Sequence, residues 1–116
     1  MNHDFKQLQY WQKARTLVKD IYLVIGAFPR EERFFLTDQI RRSSISIPSN
    51  VAEGCGRQLA YFLDIVQGST MELETQLILA NDLHYLPNES LGALEQKLHE
   101  LRKMNVGLRN RLITKF

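Results

Sequence analysis

The sequence lacks the features that mark several specialised protein classes. It has one cysteine, Cys55, so no disulfide can form within the chain and no pair of thiols indicates a redox or zinc-ribbon site. No stretch approaches the ~18 apolar residues of a membrane span, and the first residues lack the apolar core of a secretory signal. We therefore expect a soluble protein of a reducing compartment, the cytoplasm, without membrane association.

Composition is otherwise close to that of an average globular protein. The 116 residues are 44% apolar and 24% charged, which is enough for one compact core and too short for two ordinary domains. The formal net charge of +2 does not by itself indicate nucleic-acid binding, because basic residues become informative only when they concentrate on one face. The sequence predicts one domain, residues 1–116.

Apolar residues recur at steps of three and four along most of the chain, a pattern that predicts helices and requires no strand. The predicted helices run from Phe5 to Phe28, from Pro29 to about Arg57, from Leu59 to Leu86 and from Leu91 to Leu112. Short joints between helices of similar length favour antiparallel neighbours. The predicted fold class is therefore all-α, an up-down-up-down four-helix bundle.

Two details of these helices carry further expectations. Pro48 lies inside the second helix and removes one backbone hydrogen bond, so we expect a kink near this residue rather than a break. The apolar stripe of the first helix is widened by Leu17, Tyr22 and Val24. A stripe this wide predicts contact with more than one neighbour, which favours an oligomer.

Motifs for catalysis are missing from the sequence. It contains no glycine-rich phosphate loop, no His-Glu-x-x-His pair and no nucleophile elbow. His84 near Asp82, and His99 one turn after Glu95, are isolated pairs with too few ligands for zinc. We expect a non-enzymatic protein without catalytic residues, bound metal or cofactor.

Charge is distributed unevenly along the chain. The predicted third helix carries acidic side chains and no lysine or arginine, whereas the stretch from Leu101 to Phe116 is basic and has no acidic side chain. The basic candidates for nucleic-acid binding are Arg102, Lys103, Arg109, Arg111 and Lys115. Two interpretations stay open: these side chains contact RNA or DNA, or they pair with the acidic third helix of the same or an adjacent subunit.

Two segments resemble the signature of a known family. They are Gln-Ile-Arg-Arg-Ser-Ser-Ile-Ser-Ile-Pro-Ser-Asn-Val-Ala-Glu-Gly-Cys-Gly-Arg at 39–57 and Gly-Ser-Thr-Met-Glu-Leu-Glu-Thr-Gln-Leu at 68–77. The family is that of the 23S rRNA intervening-sequence proteins, which are four-helix bundles. The opening Tyr-Trp-Gln-Lys-Ala at 10–14 and the Phe-Pro-x-x-Glu turn at 28–32 extend the resemblance over nearly the whole chain.

The resemblance implies an antiparallel bundle that assembles as a ring-like pentamer and has no catalytic activity. It also implies kinship with the accessory variability proteins of diversity-generating retroelements, which are basic and bind a reverse transcriptase and nucleic acid. The chain departs from the pattern in two respects. The stretch between Arg57 and Gly68 is several residues shorter, which implies either a tighter joint or a shorter third helix. The net charge is modest beside that of the retroelement proteins.

The positions that match the family motif are mostly polar and lie on long helices. Their side chains are suited to ion pairs and hydrogen bonds that fix helix register or join subunits. The matching positions are Gln39, Arg42, Ser46, Pro48, Asn50, Glu53, Gly54, Arg57, Gly68, Ser69, Glu72, Glu74 and Gln76.

Composition, charge and resemblance together predict a non-enzymatic oligomeric protein that associates with RNA or DNA, or with a nucleic-acid-processing partner. The alternative is a structural or protein–protein interaction adaptor that binds no nucleic acid. The two hypotheses predict different effects of neutralising the basic stretch. Neutralisation would remove nucleic-acid binding under the first hypothesis and assembly under the second.

Overall fold

A computed structural model describes residues 4–113 and contains four α-helices joined by short connections. They are α1 (Gln9–Ile25), α2 (Leu36–Cys55), α3 (Leu59–Asp82) and α4 (Asn88–Ile113). Contacts join α1 to α2, α2 to α3, α3 to α4 and α4 back to α1, so the helices form a closed ring of four. Residues 4–113 include no strand, and the predicted all-α fold class is confirmed.

The core lies along the bundle axis and takes side chains from every helix. Full burial of one leucine or isoleucine stabilises the fold by roughly 1.5–3 kcal/mol, so a repeated inward stripe is what holds the four helices together. The largest fully buried side chains are Leu17, Ile21, Ile40, Ile47, Leu63, Leu73, Leu77, Leu98, Leu101, Val51, Val66 and Thr70.

The second helix begins at Leu36, so the prediction of a helix starting at Pro29 was wrong. Pro29 has an extended backbone (φ −58°, ψ 144°) and is followed by a single 3-10 turn at Arg30–Glu32. Phe35 then leaves the helical region altogether (φ −121°, ψ −109°). Because the backbones of Pro29 and Phe35 are not helical, regular helix begins only after a short, irregular connection.

The first and third helices are also shorter than predicted. A separate 3-10 turn covers Phe5–Gln7, and α1 starts only after Leu8, which is extended (φ −74°, ψ 125°). Helix α3 ends at Asp82, because His84 adopts a left-handed backbone with φ 66°. The left-handed residue turns the chain towards α4, which starts at Asn88, three residues before the predicted start at Leu91.

Helix α2 is continuous across Pro48. The Ser44 hydroxyl donates to the carbonyl oxygen of Arg41 (2.8 Å), and the Asn50 side-chain amide donates to the carbonyl oxygen of Ser46 (2.8 Å). Both bonds engage carbonyl groups on the N-terminal side of the proline, while the carbonyl that Pro48 leaves without its helical donor is that of Ser44. Continuity of the helix agrees with the expectation that it does not break, while a kink at Pro48 stays a prediction.

A close approach of helices α2 and α3 follows from Gly54. A Cβ atom at this position would lie 2.8 Å from the Cβ of Phe62 and 3.1 Å from Cδ1 of Leu59. Only glycine allows the two backbones to come so near, and the joint between the helices, residues 56–58, is correspondingly short. The tight second joint expected from the sequence is present.

Candidate functional site

Most of the polar motif residues line one groove between α2 and α3. The groove has a volume of about 660 Å³. Its lining residues are Gln39, Arg42, Ser43, Ser46, Asn50, Ile65, Ser69, Glu72 and Gln76. The two motif segments, separated in sequence, therefore form one continuous surface, the α2–α3 face.

Hydrogen bonds between helices close the floor of this groove. The Ser43 hydroxyl donates to Oε1 of Gln76 (2.7 Å), and the Ser46 hydroxyl donates to the hydroxyl of Ser69 (2.6 Å). Ser43 and Gln76 are buried. A buried polar side chain is tolerated when it is hydrogen-bonded, and such bonds fix the register of the two helices.

The rim of the groove is exposed and charged. Arg42 donates from Nε to a carboxylate oxygen of Asp38 within the same helix (2.8 Å). Glu72 and Gln39 are exposed. Ion pairs within one helix contribute a few tenths of a kcal/mol and leave most of each charged group in water, so the rim is available for contact with another molecule.

The remaining motif residues have different environments. Glu53 and Arg57 pair with each other at the end of α2 (3.1 Å). Pro48 is half-buried, and Glu74 faces α4, where it pairs with an arginine. Gly68 lies at the middle of α3, exposed, and a Cβ added there would meet nothing within 4 Å. No contact within the described bundle requires glycine at position 68.

The basic residues of α4 do not form one patch. Arg102 pairs with Glu74 on α3, and Arg109 pairs with Asp64 on the same helix (3.2 Å). Arg109 also donates to the carbonyl oxygen of Ala60 (3.1 Å). Two of the five candidates are thus engaged by the acidic helix of the same chain.

The other basic candidates of α4 lie on the opposite side of the helix. Lys103 is exposed and has no ion pair within residues 4–113. Arg111, also exposed, lines a cleft of about 580 Å³ between α1 and α4 together with Leu8 and Met104. Lys115 lies outside the described residues.

Charge is segregated between the two sides of the bundle. Helices α1 and α4 are neighbours and each carries more basic than acidic side chains, whereas α3 carries four acidic side chains and no basic one, and α2 carries equal numbers. The small net charge of the chain therefore hides a basic α1–α4 side and an acidic α2–α3 side. The contribution of α1 to this asymmetry was not predicted from the sequence, in which α3 contrasts most clearly with the C-terminal stretch.

Ion pairs between α1 and α4 involve two of the four acidic side chains of these helices, and Glu89 and Glu95 take no part in them. Lys13 donates to a carboxylate oxygen of Glu100 (3.0 Å), and Lys97 pairs with Asp20. The remaining cations of this side that have no carboxylate partner in the described bundle are Arg15, Lys19 and Lys103. Arg15 lies over the ring of Trp11, 5.5 Å from its centroid. These three cations, carried by the outer surfaces of α1 and α4, form the basic side.

Two polar clusters inside the bundle connect its helices. Asn105 is buried and donates from Nδ2 to the hydroxyl of Tyr10 (2.9 Å) and to the carbonyl oxygen of Leu63 (2.9 Å). Burial raises the pKa of Tyr10 to about 12 and keeps its hydroxyl protonated. At the α3–α4 seam, desolvation and a hydrogen bond with Glu74 raise the pKa of Glu95 above its ordinary value. These clusters explain how three helices are held in register.

Large apolar side chains are exposed on all four helices and in connections between them. On α2 and α3 they include Ile45, Tyr61, Met71 and Leu79, and elsewhere they include Leu23 on α1 (78% exposed) and Val106 on α4. In the connection between α1 and α2, Phe34 and Phe35 are 73% and 65% exposed. These exposures were not identified from the sequence, because an apolar residue does not show by itself whether it faces inward.

Residues 4–113 contain no candidate metal site and no candidate membrane-spanning helix. No group of three or more His, Cys, Asp or Glu side chains is placed to hold a metal ion. None of the four helices is long and apolar enough to cross a bilayer.

The fold and these surfaces define an antiparallel four-helix bundle with a polar, motif-bearing face on one side and a basic side opposite. The chain belongs to the family of 23S rRNA-intervening sequence proteins, whose family model matches residues 6–107. This match includes both motif segments and confirms the family resemblance found in the sequence. A comparison with curated proteins gave no match.

Proposed function

We propose that the protein is a cytoplasmic, non-enzymatic homo-oligomer that binds nucleic acid through the basic α1–α4 side of each bundle. The observation that carries this proposal is the segregation of charge between the two sides. A polyanion is attracted to the side where Arg15, Lys19 and Lys103 have no carboxylate partner and is repelled by acidic α3. The description of the family, which refers to 23S rRNA, is consistent with an RNA ligand.

The affinity of the proposed nucleic-acid site depends on assembly of several subunits. Three unpaired cations per bundle make a weak site, but copies arranged in a ring present the same cations repeatedly to one strand, which raises the effective concentration of each further contact. The pentamer implied by the resemblance would multiply the patch fivefold. Binding should therefore depend on both the charges and the oligomer.

The α2–α3 face is the proposed contact between subunits. Helices α2 and α3 carry exposed apolar side chains in addition to the hydrogen-bonding groups that line the groove between them, and interfaces commonly combine apolar and polar groups in this way. Gly68 is compatible with such a contact. Like Gly92 and Gly107 of α4, it lies inside a helix where glycine is about 1 kcal/mol less favourable than alanine, and the bundle alone gives no reason for it. A backbone of another copy packed closely against α3 would provide that reason.

Substitution of Gly68 with leucine tests the assembly. Gly68→Leu should lower the molar mass measured by multi-angle light scattering and leave the helical circular-dichroism spectrum intact, because the new side chain enters open space in the single bundle. The matched control is Gly92→Leu, which places the same side chain in equally open space on α4. An unchanged mass for Gly68→Leu would remove the α2–α3 face as the subunit contact.

Neutralisation of two cations tests the nucleic-acid site. Lys19→Gln/Lys103→Gln should weaken binding of fluorescent oligonucleotides and reduce the slope of log K against log salt by about 1.4, the value for two lost phosphate contacts on a single strand. The matched control is Arg41→Gln/Arg57→Gln, which removes two cations from α2 and its end. Equal losses of affinity for both variants would show that binding depends on the net charge of the protein and not on the basic α1–α4 side.

The adaptor hypothesis is a second candidate. It is favoured by the ion pairs of Arg102 with Glu74 and of Arg109 with Asp64, which occupy two of the predicted nucleic-acid contacts inside the bundle. A well-formed oligomer that binds neither RNA nor DNA at low salt would support this candidate and exclude nucleic-acid binding. The light-scattering and anisotropy measurements, made in one buffer, separate the two.

A further inference from the structure

Two consecutive phenylalanines are strongly exposed in the connection between α1 and α2. Phe34 and Phe35 have 73% and 65% of their surface in contact with solvent, although burial of such side chains is strongly favourable. They follow the 3-10 turn Arg30–Glu32 and precede the first residue of α2. Connections between helices often carry binding residues, so this exposed pair is a candidate for contact with a ligand.

The connection that carries the aromatic pair also carries two arginines. The guanidinium of Arg33 lies over the ring of Phe34, 4.7 Å from its centroid, and Arg30 is exposed on the same connection. Of the two adjacent carboxylates, Glu32 accepts hydrogen bonds from the backbone N–H of Leu36 (3.3 Å) and from the hydroxyl of Tyr85 (3.1 Å). The carboxylate of Glu32 therefore joins the connection to the start of α2 and to Tyr85, whereas the carboxylate of Glu31 is exposed to solvent.

The outer surface of α1 leads directly to this connection. Arg15, Lys19 and Tyr22 follow each other at steps of four and three, so they lie on one exposed stripe of the helix. The 17 residues of α1 extend over about 25 Å. Two cations and one aromatic side chain thus lie along α1, and the chain continues from the end of this helix into the connection that carries Phe34.

We propose that this stripe and the connection bind an unpaired strand of RNA or DNA, with bases stacking on Phe34 and Phe35 and phosphates meeting the neighbouring cations. Alternating cations and exposed aromatic rings are characteristic of single-strand binding, because every base offers a flat face to a ring. A duplex keeps its bases stacked on one another and offers mainly phosphates and groove edges to the protein. This inference rests on the proposed nucleic-acid function and specifies the form of its ligand.

The test replaces the aromatic rings but keeps apolar side chains. Phe34→Leu/Phe35→Leu should weaken binding of single-stranded RNA and DNA oligonucleotides by about tenfold or more for each base that loses its ring, with an unchanged salt slope because no charge is removed. Binding of a duplex of the same length should be unchanged. The matched control is Val106→Ala, which removes exposed apolar surface from α4, outside the connection and outside the α2–α3 face.

Substitution of a charged residue tests the proposed phosphate contact. Arg33→Gln should reduce the single-strand salt slope by about 0.7, the value for one phosphate contact. Molar mass and circular dichroism of each variant, measured in the same buffer, establish that assembly and folding are retained. Loss of affinity accompanied by loss of mass would overturn the inference, since the phenylalanines would then serve subunit contact.

Failure of this inference differs from failure of the proposed function. If the unmodified protein binds single strands and Phe34→Leu/Phe35→Leu binds them equally well, stacking is excluded and nucleic-acid binding stands. Equal weakening of single-strand and duplex binding would also exclude stacking. If the unmodified protein binds neither form at low salt, both proposals are wrong.

Discussion

Replacement of Gly54 with alanine tests whether the α2–α3 contact depends on close approach of the two backbones. The added methyl group would lie 2.8 Å from the Cβ of Phe62, an atom fixed to the backbone of α3, so α3 itself must move. Overpacking of this kind costs typically 1–3 kcal/mol, and the higher helix propensity of alanine returns at most about 1 kcal/mol. We expect a net loss of about 1–2 kcal/mol, which for a chain of this size lowers Tm by about 4–8 °C.

The matched variant reverses the expected sign. Gly92→Ala adds the same methyl group to α4, where nothing lies within 4 Å, and should raise stability by about 0.5–1 kcal/mol through helix propensity alone. Urea unfolding followed by circular dichroism, together with thermal melts, measures both changes. If Gly54→Ala were as stable as the unmodified protein, the close approach at Gly54 would not hold the helices together, and our explanation of this motif position would be refuted.

Further stability predictions come from the turn and the interior. His84→Gly should raise Tm by several degrees, because a left-handed backbone costs a non-glycine residue about 1–2 kcal/mol, whereas His84→Ala should give no gain. Asn105→Leu should destabilise by about 1–3 kcal/mol in urea unfolding by stranding the Tyr10 hydroxyl, and Tyr10→Phe in the same chain should recover part of the loss. Glu95→Gln should raise Tm at pH 7 and have no such effect at pH 4. The folded state raises the pKa of Glu95, so its stability falls as pH rises from the ordinary carboxyl range to that higher pKa.

Periodicity was enough to predict the four helices and their antiparallel order, because an apolar stripe must be buried and short joints leave few arrangements. Helix ends were predicted less well. Pro29 is compatible with a first helical turn, and only the non-helical backbone of Phe35 shows that α2 starts later. His84 offers no signal in sequence, since glycine or asparagine is the usual residue at a left-handed helix end.

The candidate surfaces were predictable in part. Steps of three and four place Gln39, Ser43 and Ser46 on one face of α2, but their partners on α3 depend on the register between helices, which spacing within one helix does not give. The bond from Ser43 to Gln76 fixes that register. Exposure of Phe34 was likewise invisible, because an aromatic residue after a proline turn is as compatible with a core as with a surface.

The positions of the two faces link assembly to binding. The α2–α3 face and the α1–α4 side lie on opposite sides of the helix ring. A ring joins two different surfaces of each subunit, so the cations stay uncovered if the α2–α3 face contacts a surface other than the α1–α4 side. The acidic side of each bundle would then turn towards its neighbours, while the cations of α1 and α4 stay in solvent. A chain of net charge +2 could in this way present a continuous basic surface, and its affinity for a strand would rise with the number of subunits rather than with its composition.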